Sequence, residues 1–302
     1  MRSPDSLAQA PDQDTPRGLA FALTAYTLWG FLPLYMKLMS HIPPAEIVAH
    51  RIVWSVPIAA AVLVALRRTD ALRQALRSPR MLAMGCVTAA LISLNWGIYV
   101  WAITADQALD AALGYYMNPL FSVFLAATLL GEKLTRAQVL AIALAFAAVL
   151  VLLFDAERIP WAAFGMMLSW GFYALAKKSL PIGPNQGFLL EVLILLIPAL
   201  AWLGWLGATG QGHFATDTWV LLGCGAVTAI PLLIYANGAK LMRLSTIGIL
   251  QYIAPTLIFL IAVFVFDEPF GRARLIAFPM IWTALAIYTV PMLRQMHKAK
   301  AG

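Results

Sequence analysis

The chain has 302 residues, of which 62% are hydrophobic and 12% charged, and its mean hydropathy is +0.80. That much apolar surface cannot be hidden inside one soluble core of this size, so a soluble fold is excluded and the chain reads as an all-α integral membrane protein. The net charge of +7 and pI near 9.6 do not indicate nucleic acid, because the basic residues lie between apolar runs instead of forming one patch.

Residues 1–16 are polar, carry Pro4, Pro11 and Pro16, mix Asp with Arg, and read as a disordered tail. The first apolar segment is full length and ends without a small-residue cleavage pattern, so no cleavable leader is expected. Ten apolar runs follow, centred near Leu28, Pro57, Asn95, Ser122, Phe146, Met167, Leu195, Ile230, Ile258 and Trp282. Each is about 18 to 24 residues long, the length a helix needs to cross roughly 30 Å of hydrocarbon.

The charges between the runs predict orientation. Placing the N-terminus in the cytoplasm puts Arg67, Arg68, Arg73, Arg77 and Arg80 inside, with Lys133, Arg136, Lys177, Lys178, Lys240 and Arg243. The tail adds Arg294, Lys298 and Lys300. The outer connections then hold Glu46, Asp106, Asp110, Asp155, Glu157, Asp217, Asp267 and Glu268, with Arg158, Arg272 and Arg274 as their basic residues. This is the positive-inside bias with both termini cytoplasmic, and Arg272 and Arg274 are a local exception to it. Cys86 and Cys224 fall within predicted helices and read as small packing residues.

The chain is internally duplicated. An offset of 136, from Pro119 to Pro255, also carries Tyr115 to Gln251, Tyr116 to Tyr252 and Glu132 to Glu268 without a gap. An offset of 141 carries Trp29-Gly30-Phe31 to Trp170-Gly171-Phe172 and Lys37 to Lys178. Repeat 1 therefore runs over residues 17–154 and repeat 2 over 159–294, followed by a basic tail at 295–302. Five helices per repeat is an odd number, so the second copy enters the membrane from the opposite side and the two are inverted. Such halves can enclose a cavity that opens to either face in turn.

A proline inside a helix has no N–H for the carbonyl four residues earlier. Pro119 thus frees the carbonyl of Tyr115, and Pro255 that of Gln251, its repeat equivalent. In hydrocarbon an unmet carbonyl costs several kcal/mol, which points to hinges beside a polar pocket at the middle of the membrane. Asp110 and Thr246, equivalent under the same offset, suit N-caps, and Thr135 with Gln138 forms a capping box. Glu132 and Glu268 read as interfacial structural residues.

The most polar membrane stretch is Glu46 to Trp54, where Glu46, His50 and Trp54 share one helix face. Arg51 is costly against lipid, by roughly 2.5 kcal/mol or more, and is expected to face a cavity or a partner. Histidine is the side chain whose ordinary pKa lies near neutrality, so His50 makes the proton a candidate coupling ion. Glu191 occupies about the place in repeat 2 that Glu46 to Arg51 hold in repeat 1. Asn95 and Tyr99 are four apart. With Tyr26, Trp29, Tyr116, Trp170, Tyr173, Gln251 and Tyr252 they predict an aromatic lining with few hydrogen-bonding groups, suited to a small amphipathic solute. No phosphate-cradling loop, paired Cys/His metal spacing or nucleophile elbow occurs in the sequence, so no cofactor is implied.

Four strings together resemble the RarD proteins, the chloramphenicol-sensitivity proteins of the EamA branch of drug/metabolite transporters. They are His50-Arg51-Ile52-Val53-Trp54-Ser55, Asn95 through Ala102, Leu113 through Leu120 and Gly248 through Thr256. The resemblance implies ten transmembrane helices as two inverted five-helix EamA repeats in a bacterial inner membrane, acting as a secondary exporter of a small molecule. It supplies no catalytic set. The expected substrate-binding residues, Arg51, His50, Glu46, Asn95, Tyr99, Tyr116, Gln251 and Tyr252, and the hinges Pro119 and Pro255, therefore rest on the residues themselves. Expected partners are a small-molecule substrate, protons and membrane lipids, with no nucleic acid, in a monomer or homodimer. A membrane-embedded lipid-acting enzyme and an importer of the same fold are the alternatives.

Overall fold

The computed structural model describes residues 15–67, 69–129, 134–155, 160–239, 241–242 and 250–301. The N-terminal tail through residue 14, Glu132 and Thr246 lie outside the described residues, as do the orientation charges Arg68, Lys133, Glu157, Arg158, Lys240 and Arg243.

Among the described residues every regular element is a helix. In chain order these are α1 (Pro16–Lys37), α2 (Pro44–Ala65), α3 (Asp70–Arg77), α4 (Pro79–Thr104), α5 (Ala108–Leu129), α6 (Arg136–Asp155), α7 (Trp161–Ser179), α8 (Pro184–Thr209), α9 (Thr218–Ala239), α10 (Ile253–Phe264) and α11 (Arg272–Ala301). Each predicted centre falls in a different one of them. Five (α1, α2, α4, α8 and α9) contain stretches long and apolar enough to cross a membrane, while α6 and α10 hold shorter apolar stretches. The basic connection at 67–80 contains α3, whose Leu72 and Ala75 are buried while Arg73 and Arg77 stay exposed.

Local chemistry sets the helix ends. Thr15 caps α1 by accepting from the Gly18 amide at 3.0 Å, and α2, α4 and α8 each open on a proline, whose missing N–H is harmless there. Gly210 ends α8 at φ 69°, a left-handed turn that a side chain would strain. The capping box forms as expected: the Thr135 amide donates to Gln138 Oε1 at 2.9 Å, and the Gln138 amide to Thr135 Oγ1 at 3.3 Å.

The second proline segment is broken where the first is continuous: Leu250 is helical, a turn follows, and helix resumes at Ile253. Pro119 lies inside α5, which stays helical on both sides, but α10 begins at Ile253, so Pro255 sits in a first turn instead of a helix interior. Gln251 and Tyr252 form a turn just before it. A first turn has no i−4 partner to lose, so the chain meets the proline's constraint by starting a helix there.

The most extensive packing joins helices before residue 155 to helices after 160: α1 meets α9 and α10, α2 meets α8 and α9, α4 meets α7 and α8, α5 meets α7 and α10, and α6 meets α11. Close approach depends on small residues. A Cβ on Gly225 of α9 would fall 2.3 Å from the Trp54 backbone of α2, and one on Gly114 of α5 would fall 2.9 Å from the Ala163 carbonyl of α7. Phe154, Ile197, Trp219 and Phe264 are among the large apolar side chains left on the outside.

Asp110 is not the cap of α5. It pairs with Arg274 Nη2 at 2.8 Å, which accounts for one of the two arginines that broke the charge bias. The cap comes from far along the chain: buried Glu268 accepts from the Ala108 amide at 2.5 Å and the Leu109 amide at 2.9 Å. Glu268→Ala would strand both buried donors, and we expect it to cost about 2 kcal/mol. Thermal unfolding in detergent checks this, and an unchanged midpoint would refute the cap.

Candidate functional site

A cavity of about 440 Å³ lies where α1, α2, α4, α5, α7, α8, α9 and α10 converge. Its wall is mainly aromatic. Tyr26, Trp29 and Tyr235 form a cluster with ring centroids 5.5 to 5.7 Å apart, while Trp170 lies 5.6 Å from Tyr173 and Tyr99 lies 5.9 Å from Tyr115. These rings come from helices of both halves of the chain.

Few polar groups interrupt the rings. Arg51 of α2 is 4% exposed. Its Nε donates to Thr228 Oγ1 on α9 at 2.9 Å, and its guanidinium carbon lies 5.0 Å from the Trp96 ring centre. Arg51 Nη1 is buried without a hydrogen-bond partner among the described residues. Across the cavity Lys177 of α7 donates to Glu191 Oε1 of α8 at 2.5 Å, and the Tyr173 hydroxyl donates to Glu191 Oε2 at 3.2 Å. Asn95 Nδ2 ties α4 to α7 by donating to the Met166 carbonyl at 3.1 Å and to Ser169 Oγ at 3.0 Å. Its Oδ1 and the Tyr99 hydroxyl are buried without hydrogen-bond partners among the described residues.

Known proteins place this architecture. A family model described as the EamA-like transporter family matches residues 16–154. Protein RarD of Streptomyces exfoliatus is 40% identical over 288 residues, covering 94% of this chain and 91% of the relative. Protein RarD of Escherichia coli K12 is 36% identical, with 92% and 95% covered. An uncharacterized transporter of Vibrio cholerae is 40% identical, with 96% and 98% covered. This chain belongs to the RarD-type branch of the EamA-like transporter family. One solved crystal structure shares the fold, with a TM-score of 0.60 at 23% identity over 92% of this chain and 99% of that one. Together with its apolar helices, membership makes this a multi-pass membrane protein.

In this RarD-type chain the ten residues singled out from the sequence separate into three places. Arg51, Asn95, Tyr99, Gln251 and Pro255 line the cavity. Glu46 and His50 sit instead at one end of α2. There Glu46 Oε1 accepts from the His213 amide at 2.7 Å, and its Oε2 lies 2.8 Å from His213 Nδ1. His50 Nδ1 accepts from Trp54 Nε1 at 3.1 Å, and the His50 ring stacks on Phe214 at 5.3 Å. These contacts fasten the α8–α9 connection onto α2. Tyr116, Tyr252 and Pro119 form the third group, away from the lining. The Tyr116 hydroxyl is 2.8 Å from Thr256 Oγ1, and its ring contacts Phe278, Trp282 and Tyr252 where α5, α10 and α11 meet.

Sequence reasoning missed Tyr115, Lys177 and Thr228 as lining residues. Tyr115 carried a usable signal, since the 136 offset pairs it with Gln251, and both line the cavity. Thr228 carried none, because an isolated threonine in an apolar helix is unremarkable until Arg51 is seen to reach it.

Removing the buried carboxylate of a part-buried ion pair leaves the lysine uncompensated. Glu191→Ala should therefore destabilise the fold by about 3 kcal/mol. Adding Lys177→Met should recover much of that loss, and a denaturation double-mutant cycle with no coupling would show that the two charges do not act together.

Proposed function

We propose that the chain is a secondary carrier that exports a small amphipathic molecule across the bacterial cytoplasmic membrane by alternating access, without ATP. The observation that carries this reading is a cavity whose wall is built from repeat-equivalent positions. Trp29 and Trp170 face it together, as do Tyr99 and Tyr235, and Tyr115 and Gln251.

Helix packing favours the same reading. With α1, α2, α4, α5 and α6 taken as equivalent to α7, α8, α9, α10 and α11, each major contact between halves has a counterpart. α1 on α9 corresponds to α7 on α4, α1 on α10 to α7 on α5, and α2 on α9 to α8 on α4. Contacts α2 on α8, α5 on α10 and α6 on α11 map onto themselves. A two-fold arrangement of ten spans, with an odd number per half, is an inverted repeat with both termini on the cytoplasmic side. Two halves that trade conformations would then expose the cavity to each face in turn.

In this reading Arg51, Asn95, Tyr99 and Gln251 contact the solute, and Pro119 and the turn before Pro255 take up the bending. Protons are the coupling ion, acting on the Glu46, His50 and His213 cluster. That cluster joins α2 to the α8–α9 connection. An enzyme acting on lipid is less well served, because the titratable groups are spread over several helices instead of meeting at one reacting centre.

The test is flux of a panel of aromatic metabolites and drugs in proteoliposomes driven by an imposed pH gradient. ATP-independent accumulation against the solute gradient is the expected result. A protein that moves no compound under a gradient of either sign would contradict it, and the direction of accumulation separates exporter from importer.

A further inference from the structure

The buried carboxylates of the described residues are all engaged. Glu46 binds His213, Asp110 binds Arg274, Glu191 binds Lys177, and Glu268 caps α5. Lys177 enters the cavity wall already neutralised by Glu191. Arg51 enters it with a hydroxyl and an aromatic face as partners and, among the described residues, no carboxylate within ion-pair distance.

The duplication explains the asymmetry. Arg51 is the seventh residue after Pro44, which opens α2, and Glu191 is the seventh after Pro184, which opens α8, so the two charges occupy equivalent places. Glu191 is met by Tyr173 and Lys177 of α7. At the 141 offset the α1 residues in those positions are Leu32 and Met36, which can meet no charge. The first half therefore lacks the counter-ion that the second half supplies for itself.

A guanidinium held away from bulk water without a counter-charge is costly, and a mobile anion is the natural way to offset that cost. The Tyr99 hydroxyl, buried and unpartnered, adds a donor to the same cavity, while Trp29, Trp170 and Tyr235 offer ring faces for an apolar body.

We infer that the cavity selects an organic anion: a monoanionic, carboxylate-type head bound by Arg51 with Tyr99, carried on an aromatic or otherwise apolar body packed among the rings. This rests on the cavity being the carrier's solute site, and it names the class of solute.

Three probes with the same ring body and different heads test it: naphthaleneacetate, naphthaleneethanol and naphthaleneethylamine, titrated calorimetrically into the purified full chain. The anion should bind at least about tenfold more tightly than the neutral and cationic probes. Arg51→Gln should abolish that preference, whereas Arg51→Lys, which keeps the charge and guards against a folding artefact, should retain it. Equal affinity for all three, no binding of the anion, or a preference unchanged in Arg51→Gln would overturn the inference. Flux of the same probes in proteoliposomes separates the two claims. An anion that binds but never crosses would remove the carrier reading and leave the anion site, whereas flux of the uncharged probe alone would do the reverse.

Discussion

A charge taken out of water inside a bilayer must be met by the protein, and that requirement organises the molecule more than any single packing contact. Three buried carboxylates meet it by reaching across the sequence: Glu46 to His213, Asp110 to Arg274, and Glu268 to the first amides of α5. Each of these contacts joins the first half of the chain to the second. The same logic holds for small residues such as Gly225 and Gly114, which let helices of opposite halves approach closely. The two halves are thus bound at their ends and surfaces while the middle is left open as a cavity.

Arg51 is where the rule is met differently. Its Nε is satisfied by Thr228 and its flat face by Trp96, which fixes the guanidinium in orientation but does not neutralise it. Glu191, by contrast, is closed off by Lys177 and Tyr173. The cavity therefore carries one neutralised charge pair and one guanidinium without a carboxylate partner among the described residues. A solute entering it would be oriented by that difference, and rings on both sides would hold its apolar part without fixing its identity.

The helices were legible because bilayer thickness turns helix length into a strong signal. The lining was legible where a residue had few alternatives: an arginine deep in an apolar helix, or Asn95 and Tyr99 on one face, had to find a polar environment. It was not legible where a partner lies far away in the chain. Glu46 and His50 looked like pocket residues because the sequence gives no hint that His213 and Phe214 fold back over them. Adjacent tyrosines posed a related difficulty. Tyr115 and Tyr116 differ by about 100° around a helix, and only packing tells that the first faces the cavity and the second α10 and α11. Pro255 showed the limit of a motif, since the proline lies inside a continuous helix in one copy and in the first turn of a helix in the other.

The central claim is that a wet, electropositive chamber lies between the two halves of the chain. It is tested most directly by placing a single cysteine at position 115 in a chain freed of Cys86 and Cys224, and comparing its reaction with sulfonated and quaternary-ammonium methanethiosulfonates of similar size. The account predicts that the cysteine reacts, and that the negatively charged reagent is clearly favoured once each rate is divided by that reagent's rate with a free small-molecule thiol. A cysteine inert to both, or a normalised rate that favours the positively charged reagent, would contradict it.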